Sequence, residues 1–275
     1  MDDYKSILVH LDNGPHLATR LNLAADLAQR FDSRLAGLYA INSTETASAI
    51  GEAGIPVATS LRHTKEESCR HARVLFNTVV AEHGFHAADW WTCNAHASAC
   101  VAAYARYVDL VVVEQPGASD SGVNTGFLNS VLLGAGRPVL VVPRYAPSLN
   151  ASMKHIVLAW NGSRESARAV DDALPFLRGA KQVTVMIIQD RPRESAIAGD
   201  TDIGVYLTRH CIPARFKHLE FTGSITETIN DYAAQSDADM VVMGAYGYSR
   251  LAEIILGSAT QAMLGEMRVP VLMSH

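Results

Sequence analysis

The chain repeats itself, and this repeat limits its fold more than any other feature. Ile7-Leu8-Val9-His10-Leu11-Asp12 corresponds to Ile156-Val157-Leu158-Ala159-Trp160-Asn161 at an offset of 149 residues. The run from Asp109 to Gly117 (Asp-Leu-Val-Val-Val-Glu-Gln-Pro-Gly) corresponds to that from Asp239 to Gly247 (Asp-Met-Val-Val-Met-Gly-Ala-Tyr-Gly) at 130, and Pro138-Val-Leu-Val-Val to Pro270-Val-Leu-Met-Ser at 132. One plan used twice must be read as a half-chain fold and then doubled. The falling offset gives the first half about eighteen extra residues, and Gly51, Gly54, Pro56 and nearby Ser and Thr residues predict a loop within Asn42 to Glu66.

Each half alternates short β-branched runs with amphipathic stretches. Leu17, Leu21, Ala24, Ala28 and Phe31 recur at helical spacing after the Asn13-Gly14-Pro15 turn; Ala167, Val170, Leu174 and Leu177 do so after Asn161-Gly162-Ser163. The strands that follow, Leu35 to Ile41 and Gln182 to Gln189, are apolar on both faces, as in a parallel sheet covered by helices. Five strands alternating with four helices predict a doubly wound open parallel α/β domain, twice. The halves are expected at 1–146 and 152–275, with an unpatterned linker from Arg144 to Lys154.

Composition agrees. A length of 275 residues suits two domains, and 48% apolar against 19% charged residues excludes intrinsic disorder. A net charge of −5 gives no footprint for a nucleic-acid backbone. No apolar run approaches the roughly 20 residues of a membrane span. The acidic start, Met1-Asp2-Asp3-Tyr4-Lys5, lacks a signal-peptide pattern, so a cytoplasmic location is expected. Cys69, Cys93, Cys100 and Cys211 are too sparse for a disulfide framework and read as thiols, mostly buried as small apolar residues.

In open parallel sheets, ligands bind beyond the carboxyl ends of the strands, where strand order reverses. In the second half the run Met240 to Met243 ends in Gly244-Ala245-Tyr246-Gly247, followed nine residues later by Gly257-Ser258-Ala259-Thr260. Glycines admit close backbone approach, and Ser258 stands where a helix from about Ala259 to Met267 would begin, with its free N–H groups facing an anion. The spacing G-x2-G-x9-G-S after a buried strand and before a helix describes a phosphate cradle. It resembles the universal stress protein family, whose ATP-binding members carry this pattern after their fourth strand. Asn161-Gly162-Ser163, Asp239 and the closing Val269-Pro270-Val271-Leu272 match as well, and the shared plan extends the resemblance to both halves as a tandem form.

The resemblance implies two Rossmann-like, adenine-nucleotide-binding domains forming a pseudo-dimer through Val139 to Val142 and Val271 to Met273, with a homodimer of the whole chain a further expectation. It implies ATP as ligand, with Mg2+ an accompanying expectation. Gly244, Gly247, Gly257, Ser258 and Thr260 would surround triphosphate and ribose, and Ala259 would contribute a backbone N–H. Ala159, Asn161 and Ile188 would line adenine and ribose, with Met243 and Tyr246 at the strand end. Asn161 stands where the family usually has Asp, which removes a negative charge from any metal contact. Tyr246 stands where many members have Arg or His, which removes a charge contact to phosphate; Arg250 is a candidate substitute, although an arginine in such a loop is more often simply solvated.

The first half departs from the pattern: Glu114 replaces the first glycine, and Gly126-Phe127 is the nearest approach to Gly-Ser. It reads as a degenerate structural copy, with Asp12 a helix cap. Cys93, His96 and Cys100, with His83 and His86 nearby, have zinc-ligand types, but buried thiols are the expected state. Trp90 and Trp91 read as core or interface. G-x4-G-K-[ST], G-x-S-x-G and Cys-x-x-Cys are all absent. The expectation is a stress-response regulatory protein that binds nucleotide in its C-terminal half, with no catalytic residue assigned and at most slow hydrolysis or phosphorylation at Ser258 or Thr260. The alternatives are a nucleotide-free interaction scaffold and a Cys/His metal or redox sensor.

Overall fold

A computed structural model describes residues 3–41, 55–85, 87–117, 123–145, 149, 151–189, 200–220, 224–246 and 258–275. The chain divides into two units, Met1–Arg137 and Pro138–His275. In the first, strands β1 (Ser6–Leu11), β2 (Arg34–Ala40), β3 (Ala88–Cys93) and β4 (Leu110–Glu114) alternate with helices α1 (Leu17–Arg30), α2 (Ile55–Glu82), α3 (Ala97–Ala105) and α4 (Thr125–Gly134). The strands are parallel in the order β3-β2-β1-β4. β1 therefore has its next strand in sequence on one side and β4 on the other, so the order reverses between β1 and β4.

The second unit follows the same plan. It contains β5 (Val139–Val142), β6 (His155–Ala159), α5 (Arg164–Asp172), α6 (Leu174–Gly179), β7 (Gln182–Gln189), α7 (Asp200–Arg209), β8 (Ala214–Glu220), α8 (Ile225–Gln235), β9 (Met240–Gly244), α9 (Ser258–Glu266) and β10 (Val271–Ser274). Its order is β5-β10-β9-β6-β7-β8, and the reversal falls between β6 and β9. β5 is the exception to parallel pairing: it runs antiparallel to β10, with Val139 opposite Met273 and Val141 opposite Val271. The strand pairing expected from the two short apolar runs is thus present.

The repeated Asp has a structural reason. The Asp109 carboxylate accepts the N–H groups of Lys5 and Ser6 at 2.8 and 2.9 Å, and Asp239 accepts that of His155 at 2.8 Å. Each ties the start of a first strand to the segment entering the fourth. The apolar stripe of α1 is buried as predicted from Leu17 to Phe31.

Three expectations need correction. The loop expected to Glu66 is helical from Ile55 onward, because Pro56 stands in the first turn of α2, where its missing N–H costs no hydrogen bond; residues 42–54 lie outside the described residues. Of the stripe Ala167, Val170, Leu174 and Leu177 the last three are buried but Ala167 is exposed, and the stripe is carried by two helices, since α5 stops at Asp172 and α6 begins at Leu174 with Pro175 in its first turn. Cys93 and Cys100 are not thiols but a disulfide, since the end of β3 and the first turn of α3 bring their Cα atoms to 5.9 Å. Of the other two, Cys69 is half-buried and Cys211 exposed.

No helix among the described residues is long and apolar enough to cross a membrane.

Candidate functional site

In the second unit the reversal point is built from the ends of β6 and β9. Ala159 pairs in register with Met243 on β9 and with Met186 on β7, so the three stand side by side at the carboxyl edge. Met243 is buried, whereas Ala159 and Ile188, further along β7, are half-exposed toward that edge. Asn161 is exposed; its Oδ1 accepts the Ser163 N–H at 3.0 Å, and the Ser163 hydroxyl caps α5 by accepting the Ser166 N–H at 3.1 Å.

Gly244 ends β9 directly against α5. A Cβ on it would lie 2.6 Å from the Glu165 carbonyl carbon and the Ser166 nitrogen, so packing alone requires glycine here. Beyond it, the Ala245 N–H donates to the Ser274 carbonyl at 2.8 Å, and His275 Nδ1–H donates to the Ala245 carbonyl at 3.1 Å. Tyr246 takes a left-handed conformation, φ 61°, with its N–H on the Thr260 hydroxyl at 3.2 Å and its ring edge-on to His275. Burial pushes the Tyr246 phenol up to about 12, so it stays protonated.

Ser258 and Ala259 open α9, where the sequence predicts its start, and Thr260 in the same turn is buried. Gly247, Gly257 and Arg250 lie outside the described residues, as does His86. The structure therefore brings Ala159, Met243, Gly244, Tyr246 and Thr260 to one end of the sheet, with Asn161 and Ile188 on its rim.

The first unit is chemically different at the same place. Glu114 ends β4 and is buried, and Arg20 projects from α1 to meet it with Nη1 to Oε2 at 2.6 Å. Arg20 Nε donates to the His10 carbonyl at 3.0 Å, and Nη2 lies 3.0 Å from Asp12 Oδ2. Asp12 is thus not the cap of α1: the N-cap position is His16, and Asp12 Oδ1 accepts the Gly14 N–H at 2.8 Å instead. Burial opposes ionisation of Asp12, but the charge of Arg20, that of His10 once it is protonated at low pH, and the Gly14 N–H carry its pKa below the ordinary carboxylate value. Burial lowers His10 from 6.5 to about 4, so the imidazole is neutral; its ring lies against Phe127, centroids 4.9 Å apart. Arg20 carried no motif, yet an arginine inside an apolar helical stripe and a glutamate ending an apolar strand signal such a pair.

Of the Cys/His constellation, Cys93 and Cys100 pair as the disulfide and His86 lies outside the described residues. Among the described residues no group of three or more His, Cys, Asp or Glu side chains could hold a metal ion. His96 Nδ1 contacts the Ser98 hydroxyl, and His83 sits against Asp26. Trp90 and Trp91 are half-buried against Phe76 and Tyr104 respectively.

Comparison with known proteins completes the description. The sequence profile of the Universal stress protein family matches residues 153–275. The C-terminal half is a universal stress protein domain. The whole chain has the fold of tandem universal stress proteins: it superimposes on a universal stress protein from Archaeoglobus fulgidus with a TM-score of 0.73, covering 99% of this chain and 96% of that one at 14% identity. A structure described as a putative universal stress protein from Pseudomonas aeruginosa aligns with a TM-score of 0.55 at 16% identity, covering 98% of this chain and 93% of that one. No curated protein sequence matches. Both units therefore carry the universal stress protein fold, with different residues at their reversal points.

Proposed function

We propose that the second unit binds an adenine nucleotide, ATP or a close relative, beyond the carboxyl ends of β6 and β9, and that the first unit does not. The observation that carries this reading is the contrast between the two reversal points. Asn161, Ala169 and Gly244 are neutral where Asp12, Arg20 and Glu114 are charged and fill the space. A phosphate chain tolerates the first setting and is repelled by the two carboxylates of the second. The N–H groups of Ala245 and Tyr246 are already used, so phosphate contacts fall to the first turn of α9, where a helix leaves N–H groups unpaired.

The role we infer is binding that regulates a stress response through partner choice. Thr260 is buried with its hydroxyl on a backbone N–H, which leaves Ser258 as the phosphorylation candidate of the pair. Gly244 favours the scaffold reading, because packing against α5 explains its glycine without a ligand.

Calorimetry with ATP, with and without Mg2+, separates the two. One nucleotide per chain is expected, lost in Gly257→Val, weakened by about 1 kcal/mol in Ser258→Ala, and unchanged in Gly117→Val. Two sites per chain, or binding that survives Gly257→Val, would put the site elsewhere. No binding by the unaltered chain would establish the scaffold.

A further inference from the structure

We propose that the reversal point of the first unit is a guanidinium-binding site whose resident ligand is the chain's own Arg20, and that it accepts a free guanidinium ion once that side chain is removed. The inference does not depend on nucleotide binding by the second unit.

Arg20 is 1% exposed and stands among Leu17, Leu21 and Ala24 on the buried face of α1. A charge there is tolerated only where opposite charge and acceptors surround it. Nε donates to the His10 carbonyl and Nη1 to Glu114 Oε2, while Nη2 lies 3.0 Å from Asp12 Oδ2 as a charge contact without hydrogen-bond geometry. These oxygens come from the ends of β1 and β4 and the turn after β1, the place where this architecture receives ligands. They answer the planar fork of a guanidinium, whereas an ammonium presents donors in another geometry. Two carboxylates face one cation, and His10 adds no charge because burial keeps it neutral. The site is therefore selective for cations.

The repeat supplies an internal comparison. At the offsets of 149 and 130, Asp12, Arg20 and Glu114 align with Asn161, Ala169 and Gly244. All three charges are absent together in the second unit, where α5 approaches β9 so closely that Gly244 cannot carry a Cβ. The three residues thus behave as one set: acceptors on the sheet and a cation on the helix, or none of them.

The test uses full-length Arg20→Ala, followed by thermal unfolding in guanidinium chloride at low millimolar concentration, far below its denaturing range. The expected result is a Tm below that of the unaltered chain that rises saturably with guanidinium. Sodium and ammonium chloride should not reproduce the rise. The unaltered chain should not respond, because Arg20 occupies the site, and Arg20→Ala/Glu114→Gln should lose the response. An equal response to all three salts, no response at all, or a response undiminished by Glu114→Gln would overturn the proposal. Should Arg20→Ala not fold unaided, refolding from urea replaces the melt. Recovery only with guanidinium present would support the site, and equal failure with and without it would overturn it.

Discussion

The backbone N–H of Tyr246 donates to the hydroxyl of Thr260 over 3.2 Å, across a sequence separation of 14. This fastens the turn leaving β9 to the first turn of α9, and it holds both ends of the segment that contains Gly247 and Gly257. The acceptor is buried and the donor residue sits at φ 61°, a conformation that costs most residues about 1 kcal/mol or more.

Thr260→Val should destabilise the second unit by about 1–2 kcal/mol, because it leaves the Tyr246 N–H without its acceptor while keeping side-chain volume. Thr260→Ser should recover most of that. Urea unfolding midpoints of the three chains give the comparison; equal midpoints for Val and Thr would mean that the hydrogen bond contributes nothing. Tyr246→Gly should not destabilise the turn, since glycine takes this φ without strain.

Gly244→Ala should cost about 2–3 kcal/mol by forcing a methyl group into the backbone of α5, which has no flexible end to yield. Gly265→Ala, in α9 with open space around it, should be neutral or slightly stabilising. Differential scanning calorimetry distinguishes the two; a Gly244→Ala chain as stable as the original would show that α5 shifts freely.

Stability should fall on acidification from pH 7 toward pH 4 in a way that depends on His10. Its folded pKa, about 4, lies below the unfolded value of 6.5. Between those values the unfolded chain holds a proton that the folded chain does not, so stability rises with pH through this window and is lost on descent. The change attributable to this one residue is about 3 kcal/mol. His10→Gln should flatten the profile between pH 4 and 6.5. An unchanged slope would assign the acid sensitivity to other groups. Asp12, with its depressed pKa, adds loss only at lower pH, as the pH falls through its folded value.

Reductant should lower the stability of the first unit by about 2 kcal/mol, the contribution expected of a bond closing so short a loop as Cys93 to Cys100. Cys93→Ala/Cys100→Ala should show the lower stability without reductant and no response to it. Mass spectrometry after alkylation under denaturing conditions should find Cys69 and Cys211 labelled and the other pair protected. Four labelled cysteines without prior reduction would refute the bond.

What was legible in the sequence is what repeats. Two copies of one alternation predicted the doubly wound plan, with Asp109 and Asp239 at matching places in it; that each ties the backbone of a first strand is seen only in the structure. What was not legible depends on residues that meet only in space. Asp12 looked like a cap because its neighbours in sequence form a turn, whereas its decisive partner, Arg20, sits two turns of chain away on another element. That Gly244 also packs against α5 was not legible, because the spacing says nothing of the helix behind it. Pro56 and its neighbours carry turn chemistry that also begins helices, so the long α2 was mistaken for loop over its first turns.

The antiparallel pairing of β5 with β10 means that the inherited repeat and the piece that must be expressed together are different lengths of chain. A gene fragment cut at residue 152, where the second copy begins by homology, leaves Val271, Leu272 and Met273 as a naked apolar margin open to any passing strand. A fragment cut at 138 brings its own selvedge.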